Sequence, residues 1–123
     1  MSTGGGHRVW YVPDGFIPPV STGEHESHEA ICVLNVGAED AGVEVTFYFE
    51  DRDPLEASFT VPAHRTRHVR TDDADTLGVT LPRGVTYAYR VRASAPVVVQ
   101  HSRLDTTQPA YALFTTIGYW ETR

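Results

Sequence analysis

The sequence predicts an all-β fold, a single antiparallel sandwich or small barrel of about eight short strands. Three observations predict it. Residues 43–50 alternate strictly, Val43, Val45, Phe47 and Phe49 on one face against Glu44, Thr46, Tyr48 and Glu50 on the other, which is the period of a half-buried strand. Turn-forming clusters recur along the chain at Pro13-Asp14-Gly15, Gly37 to Gly42, Asp51-Arg52-Asp53-Pro54 and Pro82-Arg83-Gly84. Helical periodicity is scarce, and short strands at this spacing close into two-layer or barrel architectures.

The elements follow in order. Residues 8–12 form a first strand, ended by Pro13-Asp14-Gly15. Residues 30–36 (Ala-Ile-Cys-Val-Leu-Asn-Val) read as a strand buried on both faces, and 43–50 as the amphipathic strand above. Strands are expected at 56–61 and 64–70. At 85–93, Val85, Tyr87, Tyr89, Val91 and Ala93 alternate with Thr86, Ala88, Arg90 and Arg92. Two more fall at 97–104 and 111–119. Residues 18–26 and 71–84 read as surface loops, and Asp105 to Pro109 as at most a helical turn. This gives a flexible N-terminal tail (1–7), one domain (8–120) and a C-terminal tail (121–123).

Size and composition narrow the function classes. At 123 residues, 41% hydrophobic and 21% charged, the chain suits one ordinary globular domain. A net charge of −6 argues against a general nucleic-acid coat or an anionic membrane surface. All ten basic residues are arginine, so any basic patch consists of planar forks suited to carboxylate or phosphate. No apolar run approaches the roughly 20 residues needed to span a bilayer, and the glycine-rich start is not a secretory signal. The lone Cys32 fits a reducing cytoplasm.

Residues 96–105 (Pro-Val-Val-Val-Gln-His-Ser-Arg-Leu-Asp) carry the most information. The alternation of a strand puts Val97, Val99, His101, Arg103 and Asp105 on one side. Three polar groups continue a core face, and buried charges are costly unless paired. Either the face opens to solvent there, or these groups build a polar site or a subunit contact.

Other motifs point less far. His25-Glu26-Ser27-His28-Glu29 lacks the i, i+4 histidine spacing of a helical zinc motif. A spatial cluster of His28, His68, His101 and Glu29 is the only metal alternative, and no metal or other cofactor is expected. Cys32, between Ile31 and Val33, reads as a small hydrophobe rather than a nucleophile. The run His64-Arg65-Thr66-Arg67-His68-Val69-Arg70 holds no acid. It serves either internal pairing and subunit contact or, less well, a nucleic acid. Among the aromatics, Trp10, Tyr48 and Trp120 are those whose exposure decides whether stacking platforms exist.

Ordered blocks then identify a resemblance over nearly the whole chain. They are Trp10 with Gly15-Phe16-Ile17-Pro18-Pro19, Ser27-His28-Glu29 leading into Cys32-Val33-Leu34-Asn35, and Asp40-Ala41 with Val43-Glu44-Val45-Thr46. Val61-Pro62-Ala63 with Arg65-Thr66 and His68-Val69-Arg70 follows, then Pro96 to Asp105, and Ala112-Leu113 with Thr116-Ile117 and Tyr119. The chain resembles the sensory rhodopsin transducer family. The resemblance implies a β-sandwich of jelly-roll character, a homotetramer without enzymatic activity, and a relay from a membrane photoreceptor to a cytoplasmic partner. The expected role is a non-enzymatic signalling adaptor; the rival is a β-sandwich module binding a carbohydrate or anionic metabolite. The candidate polar interaction cluster is His28, Glu29, Arg65, His68, Arg70, His101, Arg103 and Asp105, converging if 64–70 and 97–105 are neighbouring strands.

Overall fold

A computed structural model describes residues 5–122. The elements are β1 (His7–Phe16), β2 (His28–Asn35), β3 (Ala41–Phe49), β4 (Leu55–Val61), β5 (Arg65–Arg70), α1 (Ala74–Leu77), β6 (Thr86–Asp105), β7 (Ala112–Ile117) and β8 (Tyr119–Glu121). All pairings are antiparallel. The first sheet runs β4-β3-β6-β1-β8. The second runs β5-β2-β6-β7. The all-β sandwich expected from the alternation is what forms.

The 20-residue β6 joins the two sheets. The expected strands 85–93 and 97–104 are its two halves, uninterrupted at Pro96. Proline is tolerated because β3 leaves β6 at Ala93 and β2 joins only at Val98. Pro96 thus sits in the crossover between ladders, where its missing N–H breaks little pairing. Fully extended, the 12 residues from Tyr89 to His101 would span about 40 Å. Their side chains nevertheless touch, with Tyr89 Oη 2.7 Å from His101 Nδ1. The strand therefore turns back across the sandwich, and its odd-numbered residues from Tyr87 to His101 line the interior.

Other boundaries shift for similar reasons. Pro13-Asp14-Gly15 does not end β1 but forms a register shift within it, between Val12 and Gly15. A side chain at Gly15 would overlap the Tyr87 ring, so glycine lets that ring lie against β1. Residues 111–119 divide at Gly118, where the chain passes from the second sheet into the first and Gly118 N donates to Val99 O at 3.1 Å. The loop 71–84 holds one helical turn, α1, with Asp73 accepting from Thr76 N at 3.2 Å and Gly78 left-handed at its end. No turn of helix forms at 105–109; Asp105 instead accepts from Thr107 N at 2.9 Å. Of the expected tails, residues 1–4 and 123 lie outside the described residues, while His7 opens β1 and Glu121 ends β8.

The core lies between the sheets. Trp10, Val12, Ile31, Val33, Val43, Val45, Phe47, Phe59, Val61, Val91, Val97 and Val99 are all buried in it, and this removal of apolar surface from water drives the fold. The strand at 30–36 is not buried on both faces: Leu34 and Val36 point outward and are 42% and 41% exposed. Among the described residues, the second sheet is covered on one side only.

Candidate functional site

Alternation in β2 sends Glu29, Ile31, Val33 and Asn35 inward, each with 0% exposure. Three of the four are what an interior residue beside polar backbone or apolar neighbours should be; a glutamate is not. Register places Glu29 directly opposite Arg103 and Ile31 opposite His101 on β6. Arg103 Nε donates to Glu29 Oε2, and Tyr87 Oη donates to Oε1. The backbone N–H of Phe16 also donates to Oε1, at 3.0 Å. The carboxylate thus ties together β1, β2 and both halves of β6. Satisfaction from several sides is the condition on which a charge survives burial.

The remaining members extend the network. His101, 1% exposed, holds Nδ1 2.7 Å from Tyr89 Oη and Nε2 3.4 Å from Glu29 Oε1. The latter is an ion-pair separation, too long for a well-formed hydrogen bond, and Nε2 has no hydrogen-bond partner among the described residues. A proton on Nε2 points toward the carboxylate, while Nδ1 is engaged by the Tyr89 hydroxyl. Tyr87 Oη also lies 3.0 Å from Thr71 Oγ1. Burial pushes the Glu29 carboxyl up, but His101, Tyr87 and Arg103 together outweigh it and hold the group below its ordinary value. Burial and the adjacent Glu29 charge push the Tyr87 hydroxyl far up, and burial does the same for Tyr89. Both phenols stay protonated as donors.

Of the eight candidate residues, Glu29, His101 and Arg103 come together and five do not. β5 and β6 are not neighbours, because both pair with β2, which lies between them. Arg70 instead joins a clamp on the loops, its Nη2 2.7 Å from Asp72 and 3.3 Å from Glu26. Arg83 completes that clamp through Asp72 (2.7 Å) and the carbonyls of Pro18 and Ser27. Here too burial raises the Asp72 carboxyl, and Arg70 and Arg83 bring it below its usual range. His28 bonds the Glu26 carbonyl through Nδ1 at 2.9 Å. Arg65 and His68 are exposed, and Asp105 bonds Thr107 at the strand end.

Chemically, the network is an ion pair fixed by hydrogen bonds from several strands. The oxygens of Glu29 are occupied, so the group is not a free general base. His28 and His68 belong to the outward side of their strands and His101 to the inward side. No group of three His, Cys, Asp or Glu side chains suited to a metal occurs among the described residues.

Sequence reasoning missed Tyr87, Tyr89 and Thr71 as partners. The signal for the tyrosines was present: positions 87, 89, 101 and 103 share one parity on a continuous strand. Splitting that strand at Pro96 concealed it. Trp10 is core, its Nε1 donating to Val97 O at 3.0 Å, whereas Trp120 is 45% exposed beneath a stacked His7 ring, 3.7 Å between centroids.

A second feature is the outward face of the second sheet. Register aligns Cys32 with Gln100, Leu34 with Val98, Ala30 with Ser102, and Leu104 with Leu113. It holds no carboxylate among these positions, and every residue of β7 is exposed, Leu113 at 72% and Ile117 at 61%. Among the described residues β7 pairs only with β6, which leaves its other edge open. Cys32 lies partly covered here, 3.8 Å from Ser102 Oγ, and burial pushes its thiol up.

Fold and site together define a class: a two-sheet antiparallel β-sandwich, pinned inside by a buried Glu–Arg–Tyr–His network and open outside along one uncharged strand. The chain belongs to the family described as the Anabaena sensory rhodopsin transducer, whose model matches residues 5–120. It is similar to the crystal structure of Thermotoga maritima 1070, at 39% identity and a TM-score of 0.86, covering 94% of this chain and 96% of that one. It is also similar to the structure of the Anabaena sensory rhodopsin transducer, at 40% identity and a TM-score of 0.72, covering 81% and 97%. The curated proteins compared gave no match. These relationships support a transducer-like role, and no helix among the described residues is long and apolar enough to cross a membrane.

Proposed function

We propose that this protein is a non-enzymatic adaptor of the transducer type, a cytoplasmic homotetramer of jelly-roll sandwiches that passes a signal from a membrane photoreceptor to another protein. The observation that carries the reading is the outward face of the second sheet with the open edge of β7. Natural edge strands are guarded by charge, proline or bulges. β5 carries Arg65, Arg67 and Arg70, β4 carries Glu56 and β8 ends in Glu121, whereas Ala112–Ile117 carries no charge. A strand of that composition with Leu113 and Ile117 in water is a docking surface in waiting. The interior accords with the same reading, since both oxygens of Glu29 accept hydrogen bonds from within the fold.

The test is titration of the protein against a sensory rhodopsin in nanodiscs, dark and illuminated. Saturable binding whose affinity differs between the two conditions is expected. Absence of binding in both would remove the photoreceptor from the account.

A further inference from the structure

We propose that the groove between the bulged end of β1 and the inner side of β7 binds a small carboxylic acid with an apolar or aromatic body. The groove, about 590 Å³, is walled by Val12, Pro13, Phe114, Ile117 and Tyr119, with Asp14 and Thr116 among the lining residues. That volume is in the range of small-molecule sites, which pair apolar walls with a few placed polar groups.

The placed group is Arg103. Register puts Phe114 opposite Arg103 and Thr116 opposite His101, so Arg103 does not line the groove itself but lies against two of its lining side chains, Phe114 and Asp14. The guanidinium lies over the Phe114 ring, 5.1 Å from its centroid. Its Nε is used on Glu29, but Nη2 is shielded from solvent and has no hydrogen-bond partner among the described residues. The nearby acceptor is Asp14 Oδ1 at 3.6 Å, beyond hydrogen-bond reach, on a side chain 80% exposed. A buried charged donor left unpaired is costly, and a planar guanidinium edge suits a carboxylate.

Asp14 therefore stands where a ligand carboxylate would, without making the bond. An entering acid displaces that exposed side chain, meets Nη2, and lays its body on Phe114 and Tyr119. The groove shares Ile117 and the strand β7 with the proposed assembly surface, whereas Leu113 does not line it.

The experiment titrates the full-length protein with benzoate and 3-phenylpropionate, with benzyl alcohol and benzylamine as controls, following amide chemical shifts and heat. Both acids should bind saturably, roughly tenfold tighter than the alcohol, the worth of one hydrogen bond to a charged group. Asp14→Asn should tighten the acids by removing the competing carboxylate, and Thr116→Trp should abolish binding by filling the groove while sedimentation stays that of the wild type. Three results would each overturn the proposal: no saturable acid binding at millimolar concentration, equal binding of acid and alcohol, or undiminished binding by Thr116→Trp. A wild type that binds no acid while Thr116→Trp alters the oligomeric state would assign the groove to a second copy instead, and likewise overturn it.

Discussion

Glu29→Gln keeps the side chain's volume and one acceptor oxygen but removes the charge that Arg103 faces. Removing one partner of a buried ion pair costs about 3–5 kcal/mol. Arg103 retains 18% side-chain exposure and Asp14 at 3.6 Å, so the low end applies, about 3 kcal/mol. Unfolding entropies near 2.1 cal/mol/K per residue give about 260 cal/mol/K for a chain of this size, hence a fall in Tm of about 12 °C. Urea denaturation followed by far-UV circular dichroism measures it, with the midpoint lowered and the slope unchanged. The double variant Glu29→Gln/Arg103→Leu should lose clearly less than the two single losses added, because the charge each leaves behind is absent. A single-variant loss under about 1 kcal/mol, or strict additivity, would refute the pairing as the tie between the sheets.

Other consequences follow from the same geometry. The carboxyls of Glu29 and Asp72 lie below their ordinary values in the folded state, so their stabilisation is complete above the unfolded values, near 4.3 and 3.9, and is lost as pH falls through the lower folded ones. Urea midpoints should be flat from neutrality to about pH 5 and drop below it, and Glu29→Gln should show a shallower acid drop. Gly15→Ala forces a methyl group into the Tyr87 ring and should cost about 1–3 kcal/mol, with shifts of the Tyr87 ring resonances; an unperturbed spectrum would mean that β1 yields easily. Cys32, on the outward face with its thiol pushed up, should react slowly with a thiol reagent at neutral pH and faster in Leu113→Asp. Equal rates would place Cys32 outside the assembly surface.

The strand inventory was legible because alternation is local: Val43 to Glu50 announces its two faces without help from the rest of the chain. Breaks were read less well, since a proline or a Pro-Asp-Gly triplet marks a turn only when the neighbouring strand still needs the N–H. Pro96 sits where β3 has left and β2 has not yet joined, and Pro13 sits at a register shift. The interior site was half legible. His101 and Arg103 stood out as polar residues continuing the face of Val97 and Val99, and Glu29 as part of the family pattern. That Arg70 and His68 lie elsewhere depended on β2 intervening between β5 and β6, a matter of sheet order that no local pattern encodes. The exposed side of Leu34 and Leu113 was equally hidden, because an apolar residue looks the same in a core and on a docking surface.

Sedimentation equilibrium of the wild type and Leu113→Asp across micromolar concentrations tests the central claim most directly. The account predicts a closed oligomer for the wild type, fitted as a tetramer, and a shift to monomer in the variant with an unchanged far-UV spectrum. A wild type that is monomeric throughout, or a variant that assembles as the wild type does, would contradict it.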